Sequence, residues 1–388
     1  VTATRAIVAE VARAGLAGVV LSSCIMEPKS TGRLVSLDVF RGFTIASMIL
    51  VNNPGSSPTY AQLEHAVWHG WTFTDTVFPF FLWIVGVAMT LSTARRMERG
   101  QSRADLMRHA FQRAVILFLI GVFVMALPDI DLATIRIPGV LQRIAVCYLI
   151  AFLIFLHTGV RGQILWLLGF NAAYMALMWF YPTPGCGAGS WSMDCNFARY
   201  FDSLFLKGHM WRHTRDWDPE GIVSTLPAIS TVLFGALAGH VLRHFAWHGA
   251  RLQTFIFGGS ALVAAGQVMS IWVPINKNLW TPSFAFFMAG LAMLAFALWY
   301  WLVEVRGLGR WFRFFEIYGS NAILVYVLSD VLATAADRTG LHEWWYENVC
   351  RALAAEPKNA SLLYALTNVG VLWVVAWALW RRRWFVRI

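Results

Sequence analysis

Ten long apolar runs, separated by short polar segments, constrain this chain more than any other feature. They lie near 37–52, 73–92, 111–127, 139–157, 163–181, 222–243, 254–273, 280–303, 314–334 and 362–380. Runs of this length cover roughly 30 Å of hydrocarbon as helices, and helices satisfy every backbone polar group where no water can. Composition agrees: 58% of side chains are hydrophobic and only 13% are charged, too few for an ordinary soluble domain. The expected fold is all-α, a polytopic transmembrane bundle of about ten spans, or eleven if the N-terminal segment is also embedded.

Residues 1–32 read as an N-terminal extension outside this core. Ala14 to Met26 is apolar but too short to span, Glu10 and Arg13 interrupt any longer run, and Leu21-Ser22-Ser23-Cys24 faintly resembles a lipoprotein cleavage site. Residues 33–388 then form one transmembrane domain, with a long loop at about 182–221.

A formal charge of +10 would suggest nucleic acid in a soluble protein, but here the arginines gather at the ends of apolar runs and set topology instead. Arg95, Arg96, Arg99, Arg103 and Arg108 crowd the second loop. Arg161, then Arg243 and Arg251, then Arg306, Arg310 and Arg313, and finally Arg381 to Arg383 mark alternate later segments. Those segments are expected in the cytoplasm, with both termini. The intervening loops carry no Lys or Arg, or only Arg136 beside Asp129 and Asp131, or only Lys277, and are expected outside. Cys186 and Cys195, nine apart in the fifth loop, are then placed in an oxidising compartment as a disulfide, with two free thiols as the alternative. The absence of any CxxC pair gives no support for a zinc or thioredoxin-like site.

Ionisable groups inside spans are costly unless paired or wetted, so the few present are functional candidates. Asp38 and Arg41 share a helix face as either an ion pair or a ligand site. Arg143 either snorkels to the interface or captures an anion within the bundle. Asp75 opens the second run and Asp330 closes the ninth. Asn52, Asn53, Asn276, Asn278 and Asn321 add amides expected to converge on one polar cavity with His65. Histidine titrates near neutrality, and Asp75, if adjacent, would fix the tautomer of His65. A lone loop histidine is more often structural than catalytic, and His65 with His69 has metal-pair spacing but no third ligand at helical spacing.

Several strings are recognisable together: RLVSLDVFRGFTIASMILVNN, HAVWHGWTFTDTVFPFFLWIVG, GVLQRIAVCYL, DPEGIVSTLPAISTVLFGALAG, INKNLWTPSFAF and GSNAILVYVLSD. In this order, from about Arg33 nearly to the C-terminus, the chain resembles the heparan-α-glucosaminide N-acetyltransferase family of multispan membrane acyltransferases. The large lumenal region that precedes the animal enzymes' membrane domain has no counterpart here, so a bacterial-type member in an inner membrane is expected.

The resemblance implies acetyl transfer from cytoplasmic acetyl-CoA to an amino sugar on the far side of the bilayer, without a metal. It places the active-site histidine on His65, its asparagine on Asn52 and its carboxylate on Asp75. The loop NPGSSPTYAQLE departs from the family's more glycine-rich pattern, which bears on acceptor choice. Under this reading Arg41, Arg143 and Asp38 are candidates for holding CoA. Asp218, Glu220, Asn276, Lys277, Asn278 and Asn321 are candidates for the sugar. A transporter or exporter of a small polar molecule is the competing class, but the two halves show no convincing repeat. A homo-oligomer is compatible with these residues and not specified by them.

Overall fold

The computed structural model describes residues 34–386 apart from 129, 130, 132, 213 and 215. The expected extension at 1–32 lies outside the described residues. The first five expected runs are the helices α1 (Val35–Asn52), α2 (Phe73–Glu98), α3 (Arg103–Ala126), α4 (Val140–His157) and α5 (Val160–Phe180). The short amphipathic α6 (Phe197–Leu206) follows in the long loop. Then come α7 (Ile222–His244), α8 (His248–Met269) and α9 (Pro282–Tyr300), the last extended by a π-helical turn, Trp301–Val305. Among the described residues nine helices are long and apolar enough to cross a membrane.

The expected ninth span departs from a straight helix. Leu308–Ser320, which ends in α10 (Arg313–Ser320), meets α11 (Ala322–Thr339) at a bend of 71° at Asn321. Asn321 adopts φ −130°, ψ 38°, which breaks the helical path. Its side chain bonds the C-terminal tail: Nδ2 donates to Trp384 O at 3.0 Å and Oδ1 accepts from Val386 N at 2.9 Å. A short α12 (Leu341–Trp345) and the last span α13 (Pro357–Arg381) complete the chain.

In lipid, apolar surface gives little drive for helices to associate, so close backbone approach carries the packing. At the α2–α7 crossing, a Cβ on Gly86 would fall 2.0 Å from Val232 O and one on Gly235 2.0 Å from Trp83 O. Only glycine fits either position. Around that contact Phe40, Trp83 and Phe296 pack as an aromatic core, with ring centroids 5.5–6.2 Å apart.

Contacts between loops divide the molecule into two ends. Gly70 N donates to Ile275 O, Trp68 Nε1 to Trp191 O, Ile137 N to His209 O and Arg338 Nη2 to Leu127 O, and His342 Nε2 meets Gly55 O. These join the first, third, fifth, seventh and ninth connections at one end. At the other end Ser36 N donates to Glu304, Arg243 pairs with Glu98 and Arg41 Nη1 donates to Gly319 O. The arginine-rich connections belong to this second end, so charge is segregated along the bundle as the sequence pattern implies. Within the long loop Cys186 and Cys195 are joined by a disulfide, with Cα atoms 5.7 Å apart.

Candidate active site

His65 follows a single turn of 3-10 helix, Ala61–Leu63, and faces the first turn of α2. Its Nδ1 lies 2.7 Å from Asp75 Oδ1. The other carboxylate oxygen, Oδ2, accepts from Ala66 N at 3.0 Å and Thr72 N at 3.1 Å. A carboxylate facing these donors is satisfied only when ionised, so the imidazole proton belongs on Nδ1 and Nε2 carries the unprotonated lone pair. Asp75 is 1% exposed, whereas the His65 side chain is 50% exposed, so the ring is accessible to a reactant.

A second loop completes the site. Gly70, at φ +98° in the left-handed region, donates its N–H to Ile275 O at 2.8 Å. This zips HAVWHG to INKNLW across more than two hundred residues of sequence. Asn276, fully buried, braces the turn by accepting from Leu279 N at 2.9 Å, and its Nδ2 lies 3.3 Å from His69 Nδ1. Partial burial holds the His69 pKa below its ordinary value, consistent with a neutral ring that accepts from Asn276. Lys277 Nζ reaches 3.1 Å from His65 Nδ1, 3.2 Å from Nε2 and 3.7 Å from Asp75 Oδ1. Burial pulls its pKa down against the opposing attraction of Asp75 and Glu220.

Behind this pair stands a charge cluster. Arg136 Nε and Nη2 fork onto Asp218 at 2.8 and 2.7 Å, and Nη2 also meets Glu220 at 2.5 Å. Asp218 further accepts from Trp211 N and Glu220 N, both at 2.9 Å, so its oxygens build the loop before they could meet a sugar. Burial raises the Glu220 pKa, but Arg136, Arg143 and Lys277 outweigh it and hold the group below its ordinary value. Arg143 is 2% exposed; Nη2 donates to Gly221 O at 3.1 Å and to Ser224 Oγ, and the guanidinium lies 5.2 Å from the Trp280 ring centroid. Its Nε and Nη1 have no partner among the described residues, so this arginine does not snorkel: it is enclosed with two donors unused.

Other sequence candidates make no hydrogen bond to His65 among the described residues. Asn52 ends α1, is exposed, and its side chain makes no hydrogen bond among the described residues. Asn278 is half-buried and likewise unbonded. Asn321 sits at the opposite end of α11, on the C-terminal tail, and not among the outer amides. Asp38 and Arg41 form the ion pair, at 3.2 Å, also at that far end. No group of three His, Cys, Asp or Glu residues that could hold a metal occurs among the described residues. The sequence reading missed Arg136, which it treated as a topology charge. Its position eighty-two residues before Asp218 carries no local signal.

Fold and site together define a polytopic α-helical membrane protein with a histidine–carboxylate pair exposed at one mouth of its bundle. The chain belongs to the heparan-alpha-glucosaminide N-acetyltransferase catalytic family, whose model matches residues 33–273. It is 28% identical over 414 residues to the heparan-alpha-glucosaminide N-acetyltransferase of Mus musculus, covering 92% of this chain and 61% of that protein. To the Homo sapiens protein of the same name it is 29% identical over 356 residues, covering 77% of this chain and 53% of the other. The chain thus spans less than two thirds of the length of either relative.

Proposed function

We propose that this protein transfers acetyl from acetyl-CoA to the amine of a glucosamine-like sugar, with His65 as the general base. The observation that carries this reading is the short contact between His65 Nδ1 and the buried, ionised Asp75, which leaves the Nε2 lone pair available on a half-exposed ring. Family membership supports the reaction class, and the names of the murine and human relatives support a glucosaminide acceptor.

The arginine-rich end faces the cytoplasm and the His65 end faces away from it, so donor and acceptor reach the site from opposite sides. Arg41, with its carboxylate partner Asp38, stands at the donor's end. Arg113, on α3, stacks 5.0 Å above Tyr148 within electrostatic reach of Arg41 and Arg96, and adds positive charge suited to CoA phosphates. Arg143, deeper and with two unused donors, suits a carbonyl or anionic group further along the donor. Asn52, unbonded at the rim, can donate to the tetrahedral intermediate or to the sugar. Trp68 and Trp217, edge to face at 5.2 Å, offer an aromatic wall beside His69 for a pyranose ring.

The test is acetyl transfer by purified protein. Wild type should acetylate an amino sugar in an acetyl-CoA-dependent manner, and His65→Ala should lose that activity while still binding CoA. An undiminished His65→Ala variant would refute the assignment.

A further inference from the structure

Lys277 is placed too closely on His65 to be explained by sugar docking alone. Its Nζ is nearly equidistant from the two ring nitrogens, at 3.1 and 3.2 Å. In the ring plane such a position would collide with Cε1, so the ammonium lies over the face of the imidazole. Among the described residues its contacts are His65 and Asp75, the latter at 3.7 Å, so an ammonium with three N–H groups has hydrogens to spare at the reacting nitrogen.

The turn that aims it is costly to hold. Trp280, 1% exposed, sits at φ 47° in the left-handed region where a bulky residue is strained. It is fixed there by Trp280 N donating to Lys277 O at 3.0 Å and by its Nε1 donating to Thr231 Oγ1 at 3.1 Å. These hydrogen bonds close the turn that carries Lys277.

We propose that Lys277 is a catalytic residue of the transfer, whose ammonium donates to the acetyl carbonyl oxygen and holds the negative charge that gathers there as the acceptor attacks. The assignment rests on the acetyl-transfer reading and gives Lys277 a role in the chemical step instead of in acceptor docking. The acceptor ammonium first gives one proton to His65 Nε2. The freed amine forms the C–N bond to the carbonyl carbon, and the C=O π pair moves onto the oxygen beside Lys277. When that pair returns, the C–S bond breaks, and the leaving CoA sulfur takes the proton from Nε2. The second amine proton passes to water. Ammonium and thioester become amide, thiol and one released proton, and Lys277 keeps its own protons throughout.

Steady-state kinetics of the full chain in detergent test this, with acetyl-CoA and glucosamine as substrates and wild type, Lys277→Met, Lys277→Arg and His65→Ala compared. Lys277→Met should lose about 10²–10³ in kcat, the cost of removing one preorganised oxyanion donor, with the KM for acetyl-CoA within about threefold of wild type. Burial shifts the lysine downward, so wild-type activity should fall on an alkaline limb that begins below the ordinary lysine range. Lys277→Arg keeps the charge and guards against a folding defect. Its guanidinium does not deprotonate, so it should retain partial activity without the alkaline limb. An unchanged limb in Lys277→Arg, a kcat for Lys277→Met within about threefold of wild type, or a loss confined to acceptor KM would each overturn the assignment. A wild type that transfers no acetyl would overturn the acetyl-transfer reading itself. A His65-dependent wild type with an indifferent Lys277→Met would overturn this assignment alone.

Discussion

Replacing Asp75 by asparagine should disable His65 while leaving the fold in place, and the hydrogen-bond geometry shows why. The carboxylate faces His65 Nδ1 at 2.7 Å on Oδ1, and Ala66 N, Thr72 N and Thr72 Oγ1 at 3.0, 3.1 and 3.2 Å on Oδ2. A carboxamide has one oxygen. The two backbone N–H groups cannot rotate away, so that oxygen takes the Oδ2 position and the NH₂ falls at Oδ1, facing His65. Two donors cannot share the contact, so the imidazole must move its proton to Nε2, where it can no longer accept one from the acceptor amine. Wrong-tautomer substitutions of this kind lower kcat by about 10⁴, equivalent to about 5.5 kcal/mol of transition-state stabilisation. Both backbone bonds survive, so stability should fall by only about 1–2 kcal/mol. The assay is kcat for acetyl transfer beside thermal unfolding and acetyl-CoA binding on the same preparation. An Asp75→Asn variant that keeps more than about a tenth of wild-type kcat would refute the claim that Asp75 sets the tautomer.

Two further outcomes follow from groups outside the spans. Burial raises the Asp202 carboxyl to about 7, while its Oδ1 accepts from Ile222 N at 2.9 Å. The folded chain therefore holds this proton between the ordinary carboxylate value and about 7 where the unfolded chain has lost it, so stability should decline by about 1.4 kcal/mol per pH unit as pH rises through that window. Asp202→Asn should flatten the dependence of melting temperature on pH, and an unchanged slope would contradict the assignment. Arg136→Gln should cost about 3–5 kcal/mol in unfolding free energy, because it strands Asp218, which is 3% exposed, as a buried charge without its partner. Denaturation of that variant at wild-type midpoint would show the pair to be dispensable.

Hydropathy is a local property, and what it specifies was legible in the sequence. The ten runs, the alternation of arginine-rich and arginine-poor loops and the placement of His65 near Asp75 follow from residues close together in the chain. The bend at Asn321 was not read from the sequence: Gly319-Ser320-Asn321 is a weak helix-forming stretch, but it lies inside a continuous apolar run, and the break is stabilised by a tail more than sixty residues later. Lys277 shows the same limit. Its charge marked it as an outer-loop cation, but the contact with His65 spans 212 residues and depends on the Gly70–Ile275 hydrogen bond that no periodicity reports. Arg136 and its carboxylates are a third case, in which a topology charge and a turn motif prove to be one cluster.

The central claim is that acetyl crosses from a donor at the arginine-rich end to an acceptor at the His65 end. Reconstitution in sealed liposomes of known orientation tests it most directly, with labelled acetyl-CoA supplied only on the arginine-rich side and glucosamine only on the other. The account predicts labelled N-acetylglucosamine in the His65-side compartment with wild type and none with His65→Ala. Product formed equally by both proteins, or by wild type only when both substrates share one side, would contradict it.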